Sequence, residues 1–401
     1  MIHERKNTLY PSEFHKFWEK YHELILNVEI IDSQCEKVAD VLHDIYLKTD
    51  GRAFFQLYDT GKLSPEEICK IRFLTANQDF RGSRNFNELM KIYNDDPGIF
   101  DIEYINKEPA VFLKNIGITE LSQSDKRIKF AQTVTRILLD LNIEPFLLIE
   151  HFNRDILALK NFLIKERGAG YGNKKADMFL RDMVVLKVWD DIKNFDYLDV
   201  ASDVNTIKVA LRTGIMKTAI PLLSSFLDIF CYQYGHIDYM NTRAWRRVWE
   251  LWKLKYPDEC IDSPCLIDYF VYDVVGRQFC RESLVVFECE TGRHKFKWHS
   301  ARNKSCQECR KRGERHMAYI VNKLLPCTDD DGYIAIQKTD FVSSADSLLP
   351  NLRECPFSVV CNPKSTDFKK LNPPKSISIL GKTGWESAKV RREEGGGGLM
   401  S

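Results

Sequence analysis

Apolar side chains recur at intervals of three and four residues through most of residues 12–280, and this period restricts the fold more than any other feature. It is plain in FHKFWEKYHELILNVEII, VADVLHDIYLKTD, IKFAQTVTRILLDLN, ALKNFLIKE and ADMFLRDMVVLKVW. Residues at i, i+3, i+4 and i+7 share one face of an α-helix, so each stretch is an amphipathic helix that must bury its stripe against a neighbour. Alternation of period two is scarce, and no turn dipeptide joins two alternating runs. Ser64-Pro65-Glu66-Glu67 carries a capping side chain followed by Pro in the first turn, and Ser122 to Asp125 precedes a second helix start. The fold class that follows is mainly α.

The period stops near Cys280. Seven of the twelve cysteines, Cys280, Cys289, Cys306, Cys309, Cys327, Cys355 and Cys361, lie beyond that point. No signal-peptide core opens the chain and no apolar run is long enough to span a membrane, so a soluble intracellular protein is expected, in cytoplasm, nucleoid or nucleus. Thiols there ligate metal more readily than they pair as disulfides. Cys35, Cys69, Cys231, Cys260 and Cys265 stand singly and read as ordinary thiols. The formal net charge is +1, which gives no global case for a polyanionic partner. Locally the balance differs: Arg293 to Arg315 holds nine Lys/Arg against two Glu. From residue 362 the chain is rich in Lys, Pro, Ser and Gly and reads as a disordered tail.

Between two helical runs lies GAGYGNKKAD, Gly168 to Asp177. Its glycines permit positive φ and close approach by another backbone. A helix restarting after Gly172 would offer unpaired N–H groups as a seat for phosphate. A glycine-rich connection between two helices, with no ligand, explains the stretch equally well.

Gly170-Tyr171-Gly172-Asn173-Lys174-Lys175-Ala176 resembles the G-V-G-x-K-x-A hairpin of the helix-hairpin-helix (HhH-GPD) DNA glycosylases, the superfamily of endonuclease III and 8-oxoguanine glycosylase. The family's preceding Leu-Pro is replaced here by Gly168-Ala169. Ser202-Asp203-Val204-Asn205-Thr206-Ile207-Lys208-Val209 resembles the signature V-D-x-H-[IV]-x-R-V, with Asn205 in place of histidine. Upstream, Phe73 to Asp79 is similar to L-L-S-A-Q-x-T-D, and FLKNIGITELSQSDKRIKFAQTVTRIL resembles the family's helix opening after I-G-[LF]. Ile267-Asp268-Tyr269 through Gly276-Arg277-Gln278-Phe279-Cys280 resembles the end of the core, where G-R-x-x-C gives the first iron–sulfur cysteine. The matches run in the family's order over about residues 70–280.

The resemblance implies a two-lobed helical fold: an N-terminal helical region over 1–69, a glycosylase core over 70–280 and a Cys/His-rich metal-binding region over 281–361. It places a nucleophile on Lys174, with Lys175 as competitor, and a catalytic carboxylate on Asp203. Asp203 also suits the N-cap of a helix over 204–213, a compatible role. Gln78, or Asn77 in a shifted register, falls where the family fills the gap left by an extruded base. Gly170, Gly172 and Asn173 would lie against the DNA backbone beside Lys175. The chemistry suits these residue types. A base must leave the stack before it can be attacked. A carboxylate stabilises charge growing on the sugar, and a lysine amine, expected to be activated by partial burial at the helix N-terminus, can attack the anomeric carbon.

The cysteine-rich end yields two sets of four. Cys289-x4-His294-x11-Cys306-x2-Cys309 has a spacing suited to tetrahedral zinc, with His299 a rival ligand. Cys280, Cys327, Cys355 and Cys361 remain, and Cys355-Pro356 to Cys361 resembles the last part of the family's iron–sulfur loop. That implies a [4Fe–4S] cluster with the zinc module inserted in its loop; a second zinc is the alternative. Arg310, Lys311 and Arg312, with Lys295, Lys297 and Arg302, would face phosphates. Trp245, Trp249 and Trp252, at helical spacing, read as core. The expected partner is double-stranded DNA bearing a damaged or modified base, bound by a monomer, without a membrane. The expected activity is base excision with abasic-site lyase cleavage. The alternatives are a fold relative that modifies thymine derivatives in DNA, and a non-catalytic DNA-binding protein.

Overall fold

A computed structural model describes residues 13–55, 59–78, 85–118, 124–219, 234–279, 284–298, 305–324 and 355–361. In chain order these form α1 (Glu13–Leu26), β1 (Glu29–Ile30), α2 (Asp32–Thr49), α3 (Pro65–Ala76), α4 (Phe86–Asp95), α5 (Ile102–Lys107), α6 (Pro109–Asn115) and α7 (Ser124–Leu141). There follow α8 (Leu148–His151), α9 (Ile156–Lys165), α10 (Asn173–Val185), α11 (Val204–Thr213), β2 (Met216–Lys217) and α12 (Tyr234–Lys255). A π-helix (Phe270–Phe279), β3 (Leu284–Cys289), β4 (Lys295–Trp298), α13 (Gln307–Lys311) and β5 (Ala318–Leu324) complete the order. The protein is mainly α, and among the described residues no helix is long and apolar enough to cross a membrane.

Local signals fix several boundaries. Ser64 caps α3 through a reciprocal box with Glu67, and Pro65 fills the first position, where its missing N–H costs nothing. The run read from sequence as one helix from Phe14 to Ile31 is shorter, because Asn27 adopts φ 39° and ends it after Leu26. Glu29 and Ile30 instead pair with Lys217 and Met216 in a two-stranded ribbon. Residue 70, the expected start of the core, lies inside α3. The tail from 362, Cys231, Cys280, Cys327, His299 and Arg302 lie outside the described residues.

The chain divides into two compact units, each discontinuous in sequence. The first comprises 1–44, 202–255 and 270–401; the second comprises 45–201 and 256–269. In the first, Trp245 and Trp252 are fully buried and Trp249 nearly so, as their helical spacing predicts. The turn Cys355–Cys361 is anchored there by Phe357, whose buried ring lies 6.3 Å from those of Trp245 and Phe270. In the second, an aromatic cluster joins α3 to α10: Phe179 lies 5.6 Å from Phe73, 5.9 Å from Tyr171 and 5.7 Å from Trp189. The Tyr171 hydroxyl donates to the Phe73 carbonyl at 2.7 Å, so a buried phenol keeps its partner.

Candidate functional site

The connection between α9 and α10 is built by three glycines with different tasks. Gly168 and Gly170 adopt φ of 97° and 79°, a region that costs an L side chain energy. A Cβ on Gly170 would lie 2.6 Å from the Phe130 ring, and one on Gly168 would lie 2.8 Å from Lys129 Cε. Gly170 is therefore demanded by packing against α7 as well as by its φ, and Gly168 by its positive φ, since the Lys129 chain could move aside. Gly172 is different: its backbone is extended, and a Cβ there would meet nothing within 4 Å. It is the N-cap of α10 and supplies no side chain to cap it, so the first-turn N–H groups face outward without a capping partner.

Lys174 and Lys175 part company in that first turn. Lys175 is half-buried, its Nζ donating to the Asn77 carbonyl at 2.5 Å and standing 5.5 Å from the centre of the Phe130 ring. Lys174 is exposed, not partly buried as expected, because it lies off the face by which α10 meets α9 and α3. Asn173 is exposed beside it. Asn77 and Gln78 are both fully buried. The Asn77 amide donates to Ala169 O at 2.9 Å and Phe130 O at 3.3 Å, holding the hairpin, while Gln78 Nε2 donates to Arg127 O at 3.1 Å. Gln78 Oε1 is a buried acceptor with no donor among the described residues.

A buried ionic network that the sequence reading missed fixes α10 from below. Arg72 of α3 meets Asp182 at 2.6 Å, Arg181 meets the other oxygen of Asp182 at the same distance, and Arg181 also pairs with Asp268. Two guanidiniums and two carboxylates balance, as buried charge requires. Lys160 of α9 pairs with Asp177 of α10 at 2.6 Å. Burial nevertheless pushes the Asp177 carboxyl up to about 7, against the pull of Lys160, and Asp199 adds to the rise. Apart from adjacent Arg181 and Asp182, the members of these pairs come from different elements, and no spacing in the sequence signals them.

In the first unit, Asp203 caps α11. Its Oδ1 accepts from the N–H groups of Asn205 and Thr206 at 2.8 Å each, and Oδ2 accepts from Asn205 Nδ2 at 3.0 Å. Behind it, Ser202 donates to Asp238 at 2.6 Å, and buried Asn241 donates to Ser202 and Thr206. Gly276 of the π-helix packs directly on this turn: a Cβ there would lie 2.7 Å from Asn205 Cβ.

The third cluster is a metal-ligand set. Cys289, Cys306, Cys309 and His294 bring one ligand atom each to within 4.8 Å of one another. Cys289 Sγ lies 3.5 Å from Cys309 Sγ, and His294 Nδ1 lies 3.4 Å and 3.6 Å from the sulfurs of Cys309 and Cys306. Metal–ligand bonds of about 2.0–2.3 Å in a tetrahedron give ligand–ligand edges of about 3.6–3.8 Å, so these separations fit one ion. The β3–β4 turn delivers Cys289 and His294, closed by Cys289 N–H donating to His294 O at 2.9 Å. The start of α13 delivers Cys306 and Cys309, and Cys306 N–H donates to His316 O at 2.9 Å, tying it to the approach to β5. The Thr291 hydroxyl and neighbouring groups draw the Cys289 thiol down to about 6, whereas burial and the adjacent sulfurs push Cys309 up to about 12. Cys309 can be a thiolate near neutrality only if a cation compensates it, which is what a metal ion supplies. Glu314 and His316 also approach Cys309 and pair with each other at 3.2 Å.

Cys355 is buried and Cys361 half-buried in their turn; the other two members of that expected set, Cys280 and Cys327, are outside the described residues. Arg310 and Arg312 are exposed on and just after α13. A cavity of about 480 Å³ in the second unit, lined by Glu67, Lys70, Tyr93 and Glu144 among others, contains none of these residues. No protein-family model matches this chain, and no curated protein does.

Proposed function

We propose that the chain is a helix-hairpin-helix DNA glycosylase that excises a damaged or modified base from duplex DNA and then cleaves the abasic site. The observation that carries this reading is the connection from α9 to α10. Two of its glycines are explained by positive φ and one, Gly172, is not; it fronts open space at a helix N-terminus without a side-chain cap. That arrangement suits a backbone phosphate, which the first-turn N–H groups and the helix dipole would hold. Lys174 stands next to it with no hydrogen bond or ion pair among the described residues, while Lys175 is engaged with Asn77.

On this reading the Lys174 amine attacks the anomeric carbon of an extruded nucleotide. The new C–N bond forms as the glycosidic C–N bond breaks, the electron pair leaving with the base. Asp203 stabilises the positive charge developing on the sugar. Breaking of the C1′–O4′ bond, with a proton taken up by O4′, turns the adduct into a Schiff base, and loss of its C2′ proton permits β-elimination of the 3′ phosphate. Gln78, buried and with no donor to its Oε1 among the described residues, would gain partners by moving into the gap left by the base. The Cys289, His294, Cys306 and Cys309 set suits zinc in a closed structural site. Cys355 and Cys361, together with Cys280 and Cys327, would hold a [4Fe–4S] cluster, by resemblance of the loop.

Borohydride trapping on duplexes carrying an abasic site or a panel of base lesions tests the reading. A covalent adduct that disappears in Lys174→Ala is expected. Absence of an adduct on every duplex would overturn the lyase. Conversion of a thymine derivative without strand cleavage would favour base modification, and binding alone would favour a non-catalytic role.

A further inference from the structure

We propose that the metal-held module over Cys289–Ala318 is a second phosphate-binding site, which grips the backbone of a DNA duplex through four arginines arranged around the ion. Arg293, Arg310, Arg312 and Arg315 are all exposed. Each lies one to three residues from Cys289, His294, Cys306, Cys309 or His316. The four ligand atoms lie within 4.8 Å of one another, and His316, beside Arg315, comes as close to Cys309, so the arginines flank one small cluster.

None of the four makes an ion pair with a carboxylate among the described residues; Glu308 feels the charge of Arg312, but each nearby carboxylate has a closer partner. Glu308 pairs with Lys311 at 2.8 Å, Glu314 with His316 at 3.2 Å, and Glu290 accepts the Met317 N–H at 3.1 Å. In a chain of net charge +1 this is a segregated patch rather than a share of a basic surface. Guanidinium forks match phosphate oxygens, and points fixed around an ion suit the regular charges of a stiff duplex better than a flexible acidic peptide. The choice of DNA rests on the function proposed above; the patch itself does not.

The ion is the structural condition for the site. Among the described residues Cys289, Cys306 and Cys309 form a buried cluster in this module, and an ion held there would tie its turns together. Removing it releases both turns that carry the arginines.

The test is binding of the full-length, metal-loaded protein to a fluorescent duplex across a salt series, with metal content measured in each sample. Arg293→Ala/Arg315→Ala and Arg310→Ala/Arg312→Ala are each expected to keep the metal and reduce the log–log salt slope by about 2. Each pair should weaken binding about tenfold at physiological salt. Chelation should remove the whole contribution at once. An unchanged slope in both pairs with metal retained overturns the proposal, as does unchanged binding after the ion is stripped. Tight binding of polyglutamate with no loss of duplex affinity in either pair would assign the patch to an acidic protein instead. Trapping measured on the same samples separates the two readings: Lys174→Ala should abolish the adduct and leave the salt slope of the module intact.

Discussion

The Lys175 ammonium donates to the Asn77 main-chain carbonyl at 2.5 Å, joining the first turn of α10 to the end of α3 across 98 residues. This bond assigns the two adjacent lysines different work. Lys175→Met removes a charge-assisted hydrogen bond and should lower unfolding stability by about 1–2 kcal/mol. Lys174→Ala, at an exposed position, should leave stability within about 0.5 kcal/mol while abolishing borohydride trapping. Urea unfolding of the two variants is the check, and equal losses would show that Lys175 is not the structural one.

The hairpin glycines should separate in the same way. Gly170→Ala combines a positive φ with a Cβ 2.6 Å from the Phe130 ring, so a loss of about 2 kcal/mol or more is expected. Gly172→Ala has extended backbone and open space, so the thermal midpoint should stay within a degree or two of the parent's. If Gly172 fronts a phosphate, its alanine variant should nevertheless bind duplex DNA more weakly.

Asp203 both caps α11 and offers a carboxylate, and substitution can divide the two. Asparagine keeps an acceptor for the Asn205 and Thr206 N–H groups and should hold stability within about 0.5 kcal/mol. Alanine should cost about 1 kcal/mol. Both should lower excision about 100-fold or more, since only the charge matters to the sugar. An active Asp203→Asn protein would remove the carboxylate from the mechanism.

Asp177 predicts a pH effect of definite sign. Its folded carboxyl titrates near 7, above the ordinary 3.8. The stability it lends is therefore complete below about 4 and is lost as pH rises through about 7. Measured against Asp177→Asn, which cannot titrate there, the parent's relative stability should fall between about pH 4 and pH 7 and level off above. A flat difference would show that Lys160 holds Asp177 ionised throughout.

What the sequence determined by itself was local. Helical period, the Ser64 box, the Asp203 cap over 204–213 and the turns bringing Cys289, His294, Cys306 and Cys309 together all rest on residues close in the chain, or on a ligand set readable from spacing. Each such signal concerns backbone groups that must be satisfied within a turn or two, so it survives without knowledge of the rest. The tertiary structure decided what depends on distant partners. It ended α1 at Asn27 to pair Glu29 with Lys217, buried Asn77 and Gln78 against α7 and the hairpin, and assembled Arg72, Arg181, Asp182 and Asp268 under α10. It also left Lys174 in solvent while engaging Lys175, although both share one turn and one charge. Burial and charge pairing are set by which faces meet, and no spacing within one segment records what another segment brings to it.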